Sequence, residues 1–290
     1  MINGPLRSLL FAPGNHPRKV EKVFAAGADV AILDLEDAVA VSEKEAARAT
    51  VVEALQVSRA CQGYVRVNAL DTEFCEADIA DVTGPWLDGV MLPKVESAAA
   101  LLVADKMLER AERTQGLEPG GIDLLPIIET AKGLAAVADI AGAGSRVCRL
   151  SFGAVDFAKD MGMQLTEDEW ELTPARSAIA LASRVARLDA PLDSVWVHFR
   201  DQDGLAKSCE RVRVMGFQGK MAIHPDQIAP INDAFTPGEG EIAHAGKIIA
   251  AFEAAEVDGS ASIVVDGFFV DYPVVDQARR TLERIKLIRG

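Results

Sequence analysis

The sequence predicts an α/β protein folded as a (β/α)8 TIM barrel, with a C-terminal helix and hairpin extension. Three observations carry this expectation. Eight short, β-rich apolar runs recur within residues 1–236, separated by Ala-rich, charged segments with helical periodicity. Several runs are almost continuously apolar, as parallel strands covered on both faces must be. The alternative, a doubly wound open sheet, lacks its signatures: no GxGxxG follows the first run, and no GxxxxGK[ST] occurs anywhere.

The runs read, in order, "RSLLFAP" from Arg7, "DVAILDLED" from Asp29, "GYVRVNA" from Gly63, "DGVMLPKV" from Asp88 and "DLLPIIET" from Asp123. They continue with "CRLSFGAVD" from Cys148, "SVWVHFR" from Ser194 and "GKMAIHP" from Gly219. The clearest helical stretches between them are Ser42–Ser58, Ser97–Arg113, Pro174–Leu188 and Leu205–Met215. "FTPGEGE", rich in Pro and Gly, marks the exit from the barrel. Residues 237–290 then offer a helix over Ile242–Ala255 and the strand–turn–strand pattern "DGSASIVVDGFFVDYP" around Asp266-Gly267. A last helix follows over Val274–Ile288. This extension is too short to bury a core of its own.

Composition narrows the function. The 290 residues carry a formal net charge of −14, with 49% hydrophobic and 26% charged residues, which describes a soluble globular chain. So acidic a surface has no field to draw in nucleic acid or an anionic membrane. The four cysteines form no CxxC pair, so neither structural zinc nor a disulfide framework is expected. The opening "MINGPLRSLLFAPG" has too short an apolar patch for a signal peptide, and a cytoplasmic location is the expectation.

In such a barrel the chemistry sits at the C-terminal ends of the strands. Those positions hold Asp34, Glu36 and Asp37 after the second run, Arg66 and Asn68 on the third, and Lys94 after the fourth. Glu129 closes the fifth run, Asp156 follows the sixth, His198 closes the seventh and His224 the eighth. Each has an ordinary structural reading: helix-dipole acids, a rim lysine, satisfied histidines. Together they concentrate at one rim. Glu129 ends an apolar strand, where an unpartnered carboxylate would be costly. Asp156 lies one βα unit further on. Two carboxylates with open positions, and no Cys or clear His pair, suit Mg2+ or Mn2+. The turn at Gly153 and Ala154 could offer backbone N–H groups to a substrate carboxylate, and Arg66 could hold a carboxylate or an enolate oxygen.

The motifs "RSLLFAPGN", "DLEDAV", "VRVNAL", "LPKVES", "IIETAKG", "SFGAVDFAKDMG", "GFQGKMAIHPDQI" and "DGFFVDYPVVDQARR" occur in this order. In this the chain resembles the citrate lyase β-subunit-like family, including malyl-CoA and citramalyl-CoA lyases, from Arg7 to Arg280. The resemblance implies a homotrimeric (β/α)8 barrel with Mg2+, acting on a CoA or acyl-carrier thioester and a 2-oxo acid. It implies Glu129 and Asp156 as metal ligands and Arg66 as the arginine that steadies the enolate. Glu36 and Asp37 match the acidic pair that holds metal-bound water and orients Arg66. Ile223, His224 and Pro225 match a loop beside the CoA nucleotide, and Lys94 stands among the substrate-binding positions. Asp266 matches a lid aspartate, an acid/base that reaches a neighbouring subunit's site; here Phe269-Val270 replaces the usual Met-Ile after it. The implied activity is reversible cleavage of a 3-hydroxy-acyl-CoA (malyl, citramalyl or citryl type) into an acyl-CoA and a 2-oxo acid. The alternatives are a malyl-CoA thioesterase, a citrate lyase complex subunit using a carrier-bound citryl thioester, and a metal-dependent aldolase for free acids.

Overall fold

A computed structural model describes residues 6–257 and 259–289. The first five residues, Asp258 and Gly290, which fall within the two expected domains and the start of the hairpin stretch, lie outside the described residues. The described chain forms two compact units, divided between Ala234 and Phe235.

In the first unit, β1 (Ser8–Pro13), α1 (Pro17–Val23), β2 (Val30–Asp34), α2 (Lys44–Leu55), β3 (Gln62–Arg66) and α3 (Cys75–Val82) open the alternation. There follow β4 (Gly89–Leu92), α4 (Ala98–Thr114), β5 (Asp123–Ile128), α5 (Ala131–Ala135) and α6 (Val137–Ala141). The unit is completed by β6 (Ser151–Phe152), α7 (Ala154–Met161), α8 (Thr173–Val185), β7 (Leu192–Asp193), α9 (Gln202–Val214), β8 (Gly219–Ala222) and α10 (Ile228–Phe235). All eight strands pair in parallel with their chain neighbours, and β1 pairs with β8, which closes the barrel. The expected (β/α)8 fold is therefore present.

Both strand faces are buried, which explains the unbroken apolar runs. Leu9, Val30, Ile32, Tyr64, Met91, Leu125, Ile127, Leu192 and Met221 belong to one buried cluster, the barrel interior. The residues between them, such as Ala31, Leu33, Val65, Val90 and Leu124, are equally buried beneath the helices. Local caps start several helices: Ser97 accepts from the Ala100 N–H, Thr130 from Gly133 and Asp201 from Gly204.

The seventh strand departs from expectation. The "SVWVHFR" run is not a strand, because the ladder beside β8 covers only Leu192 and Asp193. Beyond it the chain turns, and Gln227 donates to the Trp196 carbonyl instead. His198 therefore stands five residues past the strand, edge-on to Trp196, and does not close it.

The second unit comprises α11 (Glu239–Val257), β9 (Ile263–Val265), β10 (Phe268–Val270) and α12 (Tyr272–Arg289). Asp266 and Gly267 connect the hairpin with φ of 51° and 84°. Two positive φ values define the turn that matches the right-handed twist of a two-residue hairpin, and Asp-Gly supplies them cheaply. The expectation of a coreless extension is corrected here. Ile248 and Phe252 of α11, Val265 and Val270 of the hairpin, and Val275 and Ala278 of α12 form a buried cluster within the unit. Apolar positions from three elements converge, which length alone does not reveal. No described helix is long and apolar enough to cross a membrane.

Candidate active site

Alternation along the strands decides which polar side chains reach the barrel mouth. Ile32, Tyr64 and Ile127 point into the interior cluster, and two residues beyond each, on the same face, come Asp34, Arg66 and Glu129. Asp34 and Arg66 are also direct partners in the β2–β3 register.

Arg66 is clamped. Its Nε and one terminal nitrogen donate to the two Asp34 oxygens at 2.7 and 2.6 Å, and its other terminal nitrogen lies 3.0 Å from Glu36 Oε2. The guanidinium also lies over the Phe11 ring, 4.9 Å from its centre. Burial works against the charge, but hydrogen bonding and attraction from Asp34 and Glu36 outweigh it and raise the pKa further. Arg66 is a fixed positive centre.

Glu129 is 2% exposed at the end of β5. Burial, then the nearby negative charge of Glu36 and, less strongly, of Asp156, push its pKa up to about 8. One oxygen accepts the Lys94 backbone N–H at 2.8 Å. The other lies where a side chain on residue 153 would have to be: a Cβ added to Gly153 would sit 2.4 Å from Glu129 Oε2. Glycine at 153 is thus a packing requirement of the carboxylate. Glu36 is raised by burial too, partly offset by Arg66 and Lys94. Lys94 has φ of 52°, unusual for a residue with a side chain, and its ammonium donates to Glu36 Oε1 at 2.5 Å.

Glu129, Asp156, Arg66, Gly153, Ser194 and Phe11 line one pocket. Two carboxylates face it. Burial and neighbouring negative charge disfavour the ionised form of Glu129, a penalty that a cation in the pocket would offset. Among the described residues no group of three or more His, Cys, Asp and Glu could hold a metal. Glu129 and Asp156 could supply two carboxylates and leave further positions open, a set that would suit a hard, partly hydrated divalent ion better than zinc.

Phe11, Arg66 and Val195 also line a neighbouring cleft of about 540 Å3. Its walls include Leu10, Pro13, Ala38 and the segment Ile223, His224 and Pro225. His224 Nδ1 accepts from the Asp226 N–H at 3.2 Å and its ring stacks on Phe199, so its first task is to shape this segment. Lys19 and Lys22 of α1 line the same cleft, and sequence reasoning missed them. Their signal was a basic pair at helical spacing directly after the first strand, in "HPRKVEKV".

Several expectations need correction. Asp37 does not orient Arg66: its side chain is exposed, with Lys94 Nζ 3.8 Å away, and Asp34 does the orienting. The reason is register, since Asp34 pairs with Arg66 across the ladder while Asp37 lies beyond the strand. The Gly153 and Ala154 N–H groups are not on offer to a substrate: they donate to the Ile128 carbonyl at 3.0 Å and the Ser194 hydroxyl at 2.9 Å. The donors left by an α-helix's first turn are those of Val155 and Asp156. Asn68 is bound to Asp78 and the Leu35 carbonyl, away from this constellation. Asp266 belongs to the second unit. There Lys247 donates to it, His244 Nδ1 lies 3.8 Å away, and the lysine holds its carboxyl below the ordinary range.

Residues 7–225 match the HpcH/HpaI aldolase/citrate lyase family. This chain belongs to that family. Its relatives extend the match to nearly the whole length. The citrate lyase subunit beta of Leuconostoc mesenteroides subsp. cremoris is 37% identical over 96% of this chain and 92% of its own. The L-malyl-CoA/beta-methylmalyl-CoA lyase of Cereibacter sphaeroides is 37% identical over 98% of this chain and 96% of its own. Among solved structures, CitE of Mycobacterium tuberculosis in complex with magnesium, acetoacetate and coenzyme A has a TM-score of 0.79 at 29% identity, covering 98% of both chains. RipC of Yersinia pestis has a TM-score of 0.68 at 34% identity, covering 82% of this chain and 98% of its own. As a member of the family the protein is a carbon–carbon lyase.

Proposed function

We propose that this protein is a Mg2+-dependent CoA-ester lyase, reversibly cleaving a 3-hydroxy-acyl-CoA into an acyl-CoA and a 2-oxo acid. The observation that carries this reading is the meeting of Glu129 and Asp156 with Arg66 in one pocket that shares walls with the cleft reaching Ile223-His224-Pro225. Relatives named for malyl-CoA and citrate lyase activity, and one bound to magnesium and coenzyme A, support it.

Glu129 and Asp156 would hold the ion, and a divalent cation there supplies positive charge that orients and polarises the oxygens of the 2-oxo acid portion. The chain's own residues do the rest. The hydroxyl proton leaves to a base, the C–C bonding pair passes to the thioester, and the resulting enolate takes a proton on carbon. Arg66 is fixed before substrate arrives, so its charge costs no reorganisation as the enolate oxygen becomes negative. Its two carboxylate partners hold it at the pocket wall. Asp266 is the proton carrier in this scheme, acting on a neighbouring subunit of a homotrimer. Lys19 and Lys22 give the cleft the positive charge that the phosphates of coenzyme A require, on a chain otherwise strongly acidic.

The test is a coupled assay with Mg2+, offering malyl-CoA, citramalyl-CoA and citryl-CoA separately. A 2-oxo acid from one of them, lost on chelation, is the expected result and names the substrate. Free CoA without a 2-oxo acid would identify a thioesterase instead. No turnover of any of the three would sink the CoA-ester reading and leave a carrier-bound or free-acid substrate.

A further inference from the structure

Lys94 looks at first like a rim lysine reaching for water. Its connections are otherwise. Its backbone is left-handed, with φ of 52°, a region that glycine enters freely and side-chain-bearing residues resist. That conformation aims its N–H at Glu129 Oε1, at 2.8 Å. The same residue sends its ammonium to Glu36 Oε1, at 2.5 Å. Glu36 in turn faces Arg66 through its other oxygen, at 3.0 Å. Both carboxylates are at least nine-tenths buried, and Lys94 joins them.

We propose that Lys94 is a positioning residue that sets two halves of the site at once, the metal-side carboxylate of Glu129 through its N–H and the Glu36–Arg66 pair through its ammonium. The first half rests on the assignment of Glu129 to the cation proposed above, and the second on the lyase chemistry. With Oε1 engaged by the N–H, Glu129 Oε2, the oxygen beside Gly153, is the one that would be left for a cation. With Oε1 of Glu36 occupied by the ammonium, Glu36 Oε2 is left for Arg66. A glycine would satisfy the backbone but could not hold Glu36. An unstrained loop residue could hold Glu36 but would not present the N–H. Strained conformations persist where the surroundings enforce them, and they concentrate at functional sites.

The two halves separate by mutation. Lys94→Gly keeps the left-handed backbone and removes the ammonium. Lys94→Val keeps neither, because a β-branched residue resists positive φ. Lys94→Ala is the milder replacement should the valine variant fail to fold. Lys94→Arg keeps a cation. Mg2+ binding is measured by calorimetry on each purified protein, independent of catalysis, and kcat and KM are measured with the accepted CoA ester.

The expected result for Lys94→Gly is Mg2+ affinity within about threefold of the parent, with kcat lowered about tenfold or more and KM little changed. Lys94→Val, or Lys94→Ala in its place, is expected to lose Mg2+ affinity beyond the glycine variant. Lys94→Arg is expected to recover part of kcat. Equal Mg2+ affinity in the glycine and valine variants would overturn the backbone half. A raised KM with unchanged kcat in Lys94→Gly would overturn the ammonium half and make Lys94 a direct substrate contact. If the parent turns over no CoA ester, the lyase reading fails, while the Mg2+ measurements still decide the backbone half.

Discussion

A carboxyl raised to about 8 must lose its proton before it can bind a cation, and Glu129 is such a group. Its folded value lies above the ordinary 4.5, so in the metal-free protein its contribution to stability is complete below about 4.5 and is lost as pH rises through about 8. A divalent ion reverses this by favouring the charged form. Mg2+ affinity should therefore climb about tenfold per pH unit up to about 8 and then level, with a proton released on binding. Calorimetry in two buffers of different ionisation enthalpy reads both quantities. Affinity that does not change between pH 6 and pH 8 would show that Glu129 either is not the ligand or is already ionised in the metal-free protein. Arg66 offers a second test at this scale. Arg66→Ala should lower kcat about 100-fold or more, and Arg66→Lys should rescue little. A lysine can match neither the paired bonds to Asp34 nor the simultaneous contact with Glu36. Near-normal turnover by either variant would remove Arg66 from the chemistry.

At the scale of elements, the short strand β7 is secured by charge as well as by ladder. Asp193 at the end of β7 is fully buried between Arg176 of α8, at 2.9 Å, and Lys220 of β8, at 2.5 Å. Glu169 continues the cluster to Arg176, Arg211 and Ser208. The next residue after Asp193 is Ser194, whose hydroxyl takes the Ala154 N–H at the start of the helix carrying Asp156. Asp193→Asn takes from the fully buried Lys220 the carboxylate it is paired with and leaves Arg176 only Glu169, so it should cost about 3–5 kcal/mol of stability. Urea unfolding would show this as a lower midpoint at an unchanged slope, and an unchanged midpoint would mean that the cluster contributes nothing. The same elements show what the sequence made legible. Arg66, Glu129 and Asp34 follow from period-two alternation, because each sits two residues beyond an inward-facing apolar side chain. Asp34, the actual clamp, is legible from register, whereas the "DLED" cluster by itself points as readily to Asp37. The place of His198 is not legible, because alternation in "VWVHF" resembles a strand, whereas only a neighbouring ladder makes one. The left-handed turn at Lys94 and the engaged N–H groups at Gly153 and Ala154 depend on contacts between distant segments, which no local pattern encodes. In the second unit, the Asp-Gly hairpin is legible from two residues, and the small core behind it is not.

At the scale of the whole molecule, the proposal divides one active centre between two subunits, and this has a quantitative consequence. Arg66 and the metal-side carboxylates belong to the first unit and Asp266 to the second. Arg66→Ala destroys a subunit's own pocket but leaves its Asp266 intact, and Asp266→Ala does the reverse. If each pocket is completed by Asp266 of the next subunit in a closed ring, a fully exchanged equal mixture of the two inactive variants contains active centres. A pocket works when it belongs to the Asp266→Ala chain and its neighbour is the Arg66→Ala chain. Random assembly makes that combination in about a quarter of positions, whatever the number of subunits in the ring. The mixture should thus recover about a quarter of parental activity after dissociation and reassembly, while each variant alone stays inactive. Recovery must also require exchange, so mixing without dissociation should give less. If Asp266 serves its own chain's pocket, every pocket lacks one group or the other, and no mixing ratio restores turnover. Full activity of Asp266→Ala alone would be a different failure: it would remove the aspartate from the reaction and leave Arg66 and the two carboxylates to account for catalysis.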